Sequence, residues 1–224
     1  MLAAIERDVP DAVWCLGDTV GYGPHPNECC AEVEAHADLC LVGNHDLAVL
    51  GRIDLALFAD EAGVAARWTQ RELKPHARAF LERLEPTARA DGVELFHGSP
   101  TDPVWDYVLS GEAALEALER TSAPIVLVGH SHVALQIALA ANTLSGGLAR
   151  AGAELDLSAG RFLLNPGSVG QPRDGDPRAA YLLLDLERRF AAFRRVPYPI
   201  QQTQTEMRKL GLPDVLAERL AHGQ

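Results

Sequence analysis

Four short apolar segments of this sequence each end in side chains that can bind a metal ion. They are Leu16-Gly17-Asp18, Val42-Gly43-Asn44-His45-Asp46, Leu95-Phe96-His97-Gly98 and Val128-Gly129-His130-Ser131-His132. Open α/β sheets collect their ligands at the carboxyl ends of the strands. If the apolar segments are strands, these polar side chains are predicted to meet in one site.

The residue types in this set are those of a transition-metal centre. Asp18 has two carboxylate oxygens and can therefore bridge two ions, while Asn44 offers a carbonyl oxygen. Imidazole nitrogens come from His97, His130 and His132. This mixed set suits manganese, iron, zinc, cobalt or nickel better than magnesium or calcium, which prefer oxygen ligands. No cysteine belongs to the set, which disfavours a structural zinc site.

Such a centre favours hydrolysis of a phosphoester. Two ions about 3.5–4 Å apart would lower the pKa of a bridging water molecule and hold a phosphoryl oxygen. His45 directly follows Asn44 and could protonate the leaving oxygen or stabilise the transition state, a role worth roughly 10²–10⁴ in rate.

The composition is that of an ordinary globular protein. The 224 residues are 47% hydrophobic and 23% charged, so residues 1–224 are expected to form a single domain. The net charge of −11 argues against non-specific binding to nucleic acid or anionic membrane, although bound divalent ions would still admit a phosphate. No run of about 18 apolar residues predicts a membrane span. The four cysteines lack metal-binding spacing and predict reduced, mostly buried thiols in a cytoplasmic protein.

The elements that must position these residues change character along the chain. Up to His132 strands alternate with helices, and beyond it most segments are strands, which predicts an α/β sandwich of two mixed β-sheets flanked by helices. Strands are predicted over residues 12–16, 38–42, 93–96, 125–128, 135–140, 152–157, 161–164, 180–186 and 189–196. Helices are predicted over residues 1–8, 26–36, 60–73, 75–84, 111–121, 200–210 and 213–221.

Five motifs follow one another in an order that identifies a family. They are Gly17-Asp18, Gly43-Asn44-His45-Asp46, His97-Gly98-Ser99-Pro100, Gly129-His130-Ser131-His132 and Asn165-Pro166-Gly167-Ser168. Each motif alone is weak, but together and in this order they resemble the calcineurin-like metallophosphoesterases. The resemblance covers nearly the whole chain and is strongest to the small prokaryotic single-domain phosphodiesterases and phosphatases.

The resemblance implies a role for each residue of the set. Asp18 would bridge two divalent ions, manganese being the first expectation. One ion would be completed by Asn44, His97 and His130, and the other would be bound by His132. His45 would be the catalytic histidine that binds no metal. The reaction would use a metal-activated hydroxide on a phosphorylated small molecule or a nucleotide.

The resemblance also implies which residues contact the substrate. The segment 165–173 resembles the family's loop beside the active site, which makes Arg173 and Asn165 candidate substrate contacts. Tyr22, in the glycine-rich loop after Asp18, is a further candidate wall of the pocket.

Two departures from the family pattern affect these expectations. Many members have an aspartate that orients the catalytic histidine where this chain has Gly21, so Asp46 is the candidate to orient His45 instead. The family also opens with a strand that ends in Asp-x-His and supplies ligands to the second metal. No such segment precedes Asp18, so the domain is expected to be N-terminally truncated relative to the family.

Two alternatives to an active enzyme therefore stay open. The chain could be a non-catalytic relative that binds a single metal or a phosphorylated ligand, or an inactive fragment produced by a misplaced start. With the second metal short of ligands and an apolar sheet edge open, this form is expected to bind about one metal tightly, to turn over poorly and to self-associate.

Overall fold

The computed structural model describes residues 1–224. The helices are α1 (Leu2–Asp8), α2 (Pro26–His36), α3 (Asn44–Val49), α4 (Asp60–Glu72), α5 (Pro75–Glu82), α6 (Gly111–Glu119), α7 (Ile200–Lys209) and α8 (Asp214–Glu218). The strands are β1 (Trp14–Cys15), β2 (Leu39–Cys40), β3 (Thr87–Ala90), β4 (Val93–Phe96), β5 (Ile125–Val128), β6 (Ala134–Ala140), β7 (Thr143–Leu148), β8 (Glu154–Asp156), β9 (Arg161–Pro166), β10 (Ala179–Asp185) and β11 (Phe190–Val196). Short 3₁₀ helices cover Leu55–Leu57 and Arg219–Ala221.

The strands form one large mixed sheet and two smaller sheets. The large sheet has six strands in the order β3-β4-β5-β9-β6-β7, and its central strands β4, β5 and β9 are parallel. Three antiparallel strands form a second sheet in the order β10-β11-β8. Strands β1 and β2 pair in parallel with each other. The large mixed sheet is flanked by helices, which confirms the predicted α/β class.

The position of β5 explains its apolar sequence. On one face Val126 and Val128 pack with α6 through Leu118. On the other face Leu127 belongs to the same buried cluster as Ala191 of the three-stranded sheet. A parallel strand that is covered on both faces needs apolar residues at every position, and all four residues of β5 are buried. This fixed strand ends two residues before His130.

Three elements were not predicted from the sequence. Strand β3 is a partly exposed edge strand whose run Thr87-Ala88-Arg89-Ala90 has no apolar residue larger than alanine. Strand β7 contains Gly146 and Gly147, which weaken the strand pattern, and it is formed through its pairing with β6. Helix α3 begins at Asn44, where the sequence analysis expected a turn after the strand.

Two further findings concern the cysteines and the helices. All four cysteines are free thiols, of which Cys30 is buried and Cys29 is exposed. No helix of the protein combines the length and the apolar character that a membrane crossing requires.

Candidate metal centre

The four segments identified in the sequence meet at one edge of the structure. Asp18 lies just beyond β1, Asn44 is the first residue of α3, and His97 and His130 lie just beyond β4 and β5. The potential ligand atoms of Asp18, His97 and His130 all lie within 4.8 Å of one another. Asn44 joins them, because its Oδ1 lies 3.2 Å from Nε2 of His97.

The hydrogen bonds of His97 leave an arrangement that a cation would complete. Its Nδ1 lies 2.8 Å from the carbonyl oxygen of Leu16 and donates its proton there in the neutral imidazole. Nε2 then carries a lone pair, yet it faces Oδ1 of Asn44 at 3.2 Å and Oδ2 of Asp18 at 3.5 Å. Three acceptors with no proton between them repel one another, and a divalent ion among them would turn that repulsion into coordination.

His130 and Asp18 point to the same conclusion. Both ring nitrogens of His130 are buried without a hydrogen-bond partner, and so is Oδ2 of Asp18. A buried polar atom without a partner typically costs about 1–3 kcal/mol. An ion bound by Asp18, Asn44, His97 and His130 would satisfy Oδ2 of Asp18 and one ring nitrogen of His130, so the residues present fit a divalent metal with mixed nitrogen and oxygen ligands.

Asp18 is held in place by the start of helix α3. Its Oδ1 accepts a hydrogen bond of 2.9 Å from the backbone N–H of His45, one of the free amides at the helix N-terminus. Burial by itself raises the pKa of Asp18, but the imidazoles of His97 and His45 and this hydrogen bond outweigh it and lower the pKa overall. Asp18 is therefore a carboxylate with one oxygen fixed by the helix and the other free for a metal.

The ring of His45 is buried beside the metal ligands. It packs against Tyr22 with ring centroids 4.2 Å apart and against Phe58 at 4.8 Å, and its Nδ1 has no hydrogen-bond partner. Burial lowers the pKa of His45 to about 4, although the nearby Asp18 opposes this shift. At neutral pH the ring is uncharged and can donate one N–H.

The expected role of Asp46 in orienting His45 is wrong. Oδ1 of Asp46 accepts from the backbone N–H of Val20, and Oδ2 accepts from that of Gly43. Both oxygens are thus used to tie the loop after Asp18 to the start of α3. Gly21 instead makes room for His45, because a Cβ at that position would lie 2.7 Å from the imidazole.

Three other predicted residues, His132, Arg173 and Tyr22, form a connected group beside the centre. Nδ1 of His132 donates to the carbonyl oxygen of Gln171 at 2.8 Å, which leaves Nε2 as the lone-pair nitrogen of the neutral ring. Arg173 donates from Nη2 to the hydroxyl oxygen of Tyr22 at 3.1 Å and to Oε1 of Gln171 at 2.9 Å. Burial raises the pKa of Tyr22 and keeps its phenol protonated. Tyr22 and Arg173 therefore offer an O–H and a guanidinium beside the centre.

Asn165 holds the residues on either side of His130 in place. Its Nδ2 donates to the carbonyl oxygen of Gly129 at 2.7 Å and to Oγ of Ser131 at 3.0 Å, while its Oδ1 accepts from the N–H of Gly167. These bonds fix the turn that carries His130. A direct contact between Asn165 and a substrate stays a prediction.

Three residues of the centre have a strained backbone conformation. Asp18, His130 and His132 have φ angles of 52°, 54° and 59°, in the left-handed region that few residues other than glycine adopt. Strained residues of this kind persist where the surrounding structure enforces them, and they cluster at functional sites.

The sequence analysis missed two aromatic residues at this site. Tyr107 stacks on His130 with ring centroids 3.9 Å apart, and Phe58 contacts both His45 and Trp105. The ring of Trp105 lies edge-on to His130 at 6.4 Å. No spacing signal marked Phe58 or Tyr107, because each follows a loop whose path only the tertiary structure defines.

Comparison with known proteins agrees with this geometry. Residues 1–189 match the model of the calcineurin-like phosphoesterase superfamily domain. The uncharacterised protein MJ0912 of Methanocaldococcus jannaschii is 34% identical over 218 residues, which cover 95% of this chain and 86% of that protein.

Two solved structures are similar over the whole chain. A metallophosphoesterase from Sphaerobacter thermophilus is 39% identical with a TM-score of 0.88, and the match covers 100% of this chain and 94% of that one. The hypothetical protein PH1004 from Pyrococcus horikoshii shares the fold at 19% identity, with a TM-score of 0.77 and 91% of its chain covered. With the matched family model and the ligand cluster of Asp18, His97 and His130, this chain belongs to the calcineurin-like phosphoesterase superfamily.

Proposed function

We propose that this protein is a metal-dependent phosphoester hydrolase whose metal is held by Asp18, Asn44, His97 and His130. The observation that carries the proposal is the convergence of Asn44 and Asp18 on Nε2 of His97, beside ring nitrogens of His130 that have no partner, an arrangement that a divalent ion would satisfy. A bound divalent ion would act as a Lewis acid, lowering the pKa of a water molecule and polarising a phosphoryl oxygen. Asp18 and Nε2 of His132 are the residues available to a second ion.

The other side chains of the site are assigned either to binding the phosphoryl group or to assisting the leaving oxygen. The guanidinium of Arg173 and the hydroxyl of Tyr22 are placed to bind the non-bridging oxygens of the phosphoryl group. His45, uncharged at neutral pH, donates an N–H to the leaving oxygen as negative charge develops there. The burial of its ring strengthens that hydrogen bond because water does not compete for it.

Metal removal and return test this proposal. Hydrolysis of a generic phosphodiester should stop after chelation and return best with Mn²⁺, because the ligand set is mixed. Asp18→Ala should lose both metal, measured by elemental analysis, and activity. Hydrolysis that survives prolonged chelation, or full metal content and rate in Asp18→Ala, would contradict the mechanism. Binding of metal and phosphate without turnover would instead favour the non-catalytic alternative.

A further inference from the structure

Three aromatic rings lie against two histidines of the centre, Phe58 against His45 and the other two against His130. Phe58 follows the 3₁₀ helix Leu55–Leu57, whereas Trp105 and Tyr107 lie in the loop between β4 and α6. The rings form a row that His130 completes. Phe58 contacts His45 at 4.8 Å and Trp105 at 5.4 Å, Trp105 lies edge-on to His130 at 6.4 Å, and Tyr107 stacks on His130 at 3.9 Å. Two separate segments thus converge on the two histidines.

The row remains open to solvent, which a purely structural cluster would not require. Tyr107 is 44% exposed, and Phe58 and Trp105 are half-buried. Apolar residues continue the surface outward, with Leu57 67% exposed and Leu109 59% exposed. Large apolar side chains left exposed beside a polar centre mark a surface for a ligand.

The loop that carries two of the rings is held firmly. Oδ1 of Asp102 accepts from the backbone N–H of Val104 and of Trp105, and the N–H of Gly98 donates to the carbonyl oxygen of Pro103 at 2.7 Å. Oγ of Ser99 donates to the carboxylate of Asp106. Trp105 and Tyr107 are therefore presented in defined positions before any ligand arrives, which lowers the entropy cost of stacking on them.

We propose that these rings select phosphoesters whose leaving group carries a planar aromatic ring, as nucleosides and phenols do. The inference rests on the proposed function, in which His45 acts at the leaving oxygen. Because Phe58 contacts both His45 and Trp105, the row of rings is assigned to the leaving-group side. Stacking on one aromatic side chain corresponds to roughly five-fold to a hundred-fold in affinity for a nucleic-acid base. An alkyl leaving group such as glycerol gains nothing from these rings.

The first experiment compares substrates on the metal-loaded protein. Values of kcat/KM are measured for adenosine 5′-phosphate, phenyl phosphate and glycerol phosphate, and each aromatic value is divided by the glycerol value. Tyr107→Leu and Phe58→Leu should lower these ratios by about ten-fold, whereas Tyr107→Phe, which keeps the ring, should restore them. Tyr181→Leu is the control variant. It removes an aromatic ring whose hydroxyl donates a hydrogen bond to Asp8, away from the metal centre, and it should leave the ratios unchanged. Taking the ratio within each variant cancels the different reactivities of the esters.

The second experiment measures binding without turnover. Phenylphosphonate and methylphosphonate have a P–C bond in place of the ester oxygen, and their affinities are compared by calorimetry in the wild-type protein and in Tyr107→Leu. If the wild-type protein binds phenylphosphonate more tightly than methylphosphonate, and Tyr107→Leu abolishes that difference, the inference is supported even if no ester is hydrolysed. A lack of hydrolysis would refute only the proposed function. If, in the first experiment, Tyr107→Leu lowers kcat/KM more for adenosine 5′-phosphate than for phenyl phosphate, the ring that is recognised belongs to a nucleoside.

Two results would overturn the inference. Equal affinity for the two phosphonates, including no binding of either, would show that the rings do not recognise an aromatic group. A loss in Tyr107→Leu that is the same for aromatic and glycerol esters would show that the rings only hold His130 and His45 in place.

Discussion

Two of the four histidines at this centre are oriented by a hydrogen bond from Nδ1. His97 and His132 both donate from Nδ1 to a backbone carbonyl oxygen, of Leu16 and Gln171, and both leave Nε2 as a lone pair. A metal-binding imidazole needs this fixed tautomer. His45 and His130 lack such a partner at Nδ1.

His45→Ala should keep the metal and lose turnover. The substitution removes the N–H donor to the leaving oxygen but no metal ligand, so kcat should fall roughly 10²–10⁴-fold. Metal content by elemental analysis and kcat with a phosphodiester are measured on the same preparation. If metal content falls in proportion to kcat, His45 is a ligand and the assigned role is incorrect.

At the scale of elements, the start of helix α3 organises the centre. Within three residues it supplies the candidate ligand Asn44, the amide of His45 that holds Asp18, and the carboxylate of Asp46 that holds the loop at Val20 and Gly43. The close approach of the loop and the helix depends on Gly43. A Cβ at Gly43 would lie 2.1 Å from Oδ1 of Asp18 and 2.6 Å from Cε1 of His97.

Gly43→Ala should therefore weaken metal binding. The added methyl group has no room between Asp18 and His97, so one of these ligands must shift and the affinity for Mn²⁺ should fall at least ten-fold. The residue before α3 has an ordinary φ of −105°, so the effect is steric. Gly23→Ala is the matched control, because a Cβ there has no neighbour within 4 Å. Equal Mn²⁺ affinity in both variants, measured by calorimetry, would contradict this account.

At the scale of the whole molecule, the centre makes the metal-free protein sensitive to acid. Burial lowers the pKa of His45 and His130 from 6.5 to about 4 and that of His132 to about 3. The unfolded chain therefore takes up more protons than the folded protein as the pH falls below 6.5. The associated stability is fully present above pH 6.5 and is lost on acidification, by up to about 1.4 kcal/mol per pH unit for each proton.

Urea unfolding of the chelated protein between pH 7.5 and 4.5 should show this loss. His45→Gln should weaken the dependence of the unfolding free energy on pH, because the glutamine side chain takes up no proton in the folded or the unfolded state. His36→Gln, which alters an exposed histidine, should leave the dependence unchanged. Parallel curves for all three proteins would refute the contribution of His45.

The sequence by itself determined the class of the fold and the candidate ligand set. Apolar runs such as 93–96 and 125–128 are short, bounded by polar turns and spaced by helical segments, and the structure forms strands over those residues. Since each run ends in Asp, Asn or His, the meeting of those side chains at one edge follows from the parallel arrangement of β4 and β5 and of β1 and β2. These are local patterns, and local patterns are visible in a sequence.

Only the tertiary structure decided which partners surround those ligands. The use of Asp46 as a backbone acceptor, the space that Gly21 leaves for His45, and the row formed by Phe58, Trp105 and Tyr107 all join residues distant in sequence. Strand β7, with its two glycines, likewise forms only because β6 supplies its hydrogen bonds. Contacts of this kind depend on how loops pack after the strands have paired, and no period or spacing along the chain encodes that packing.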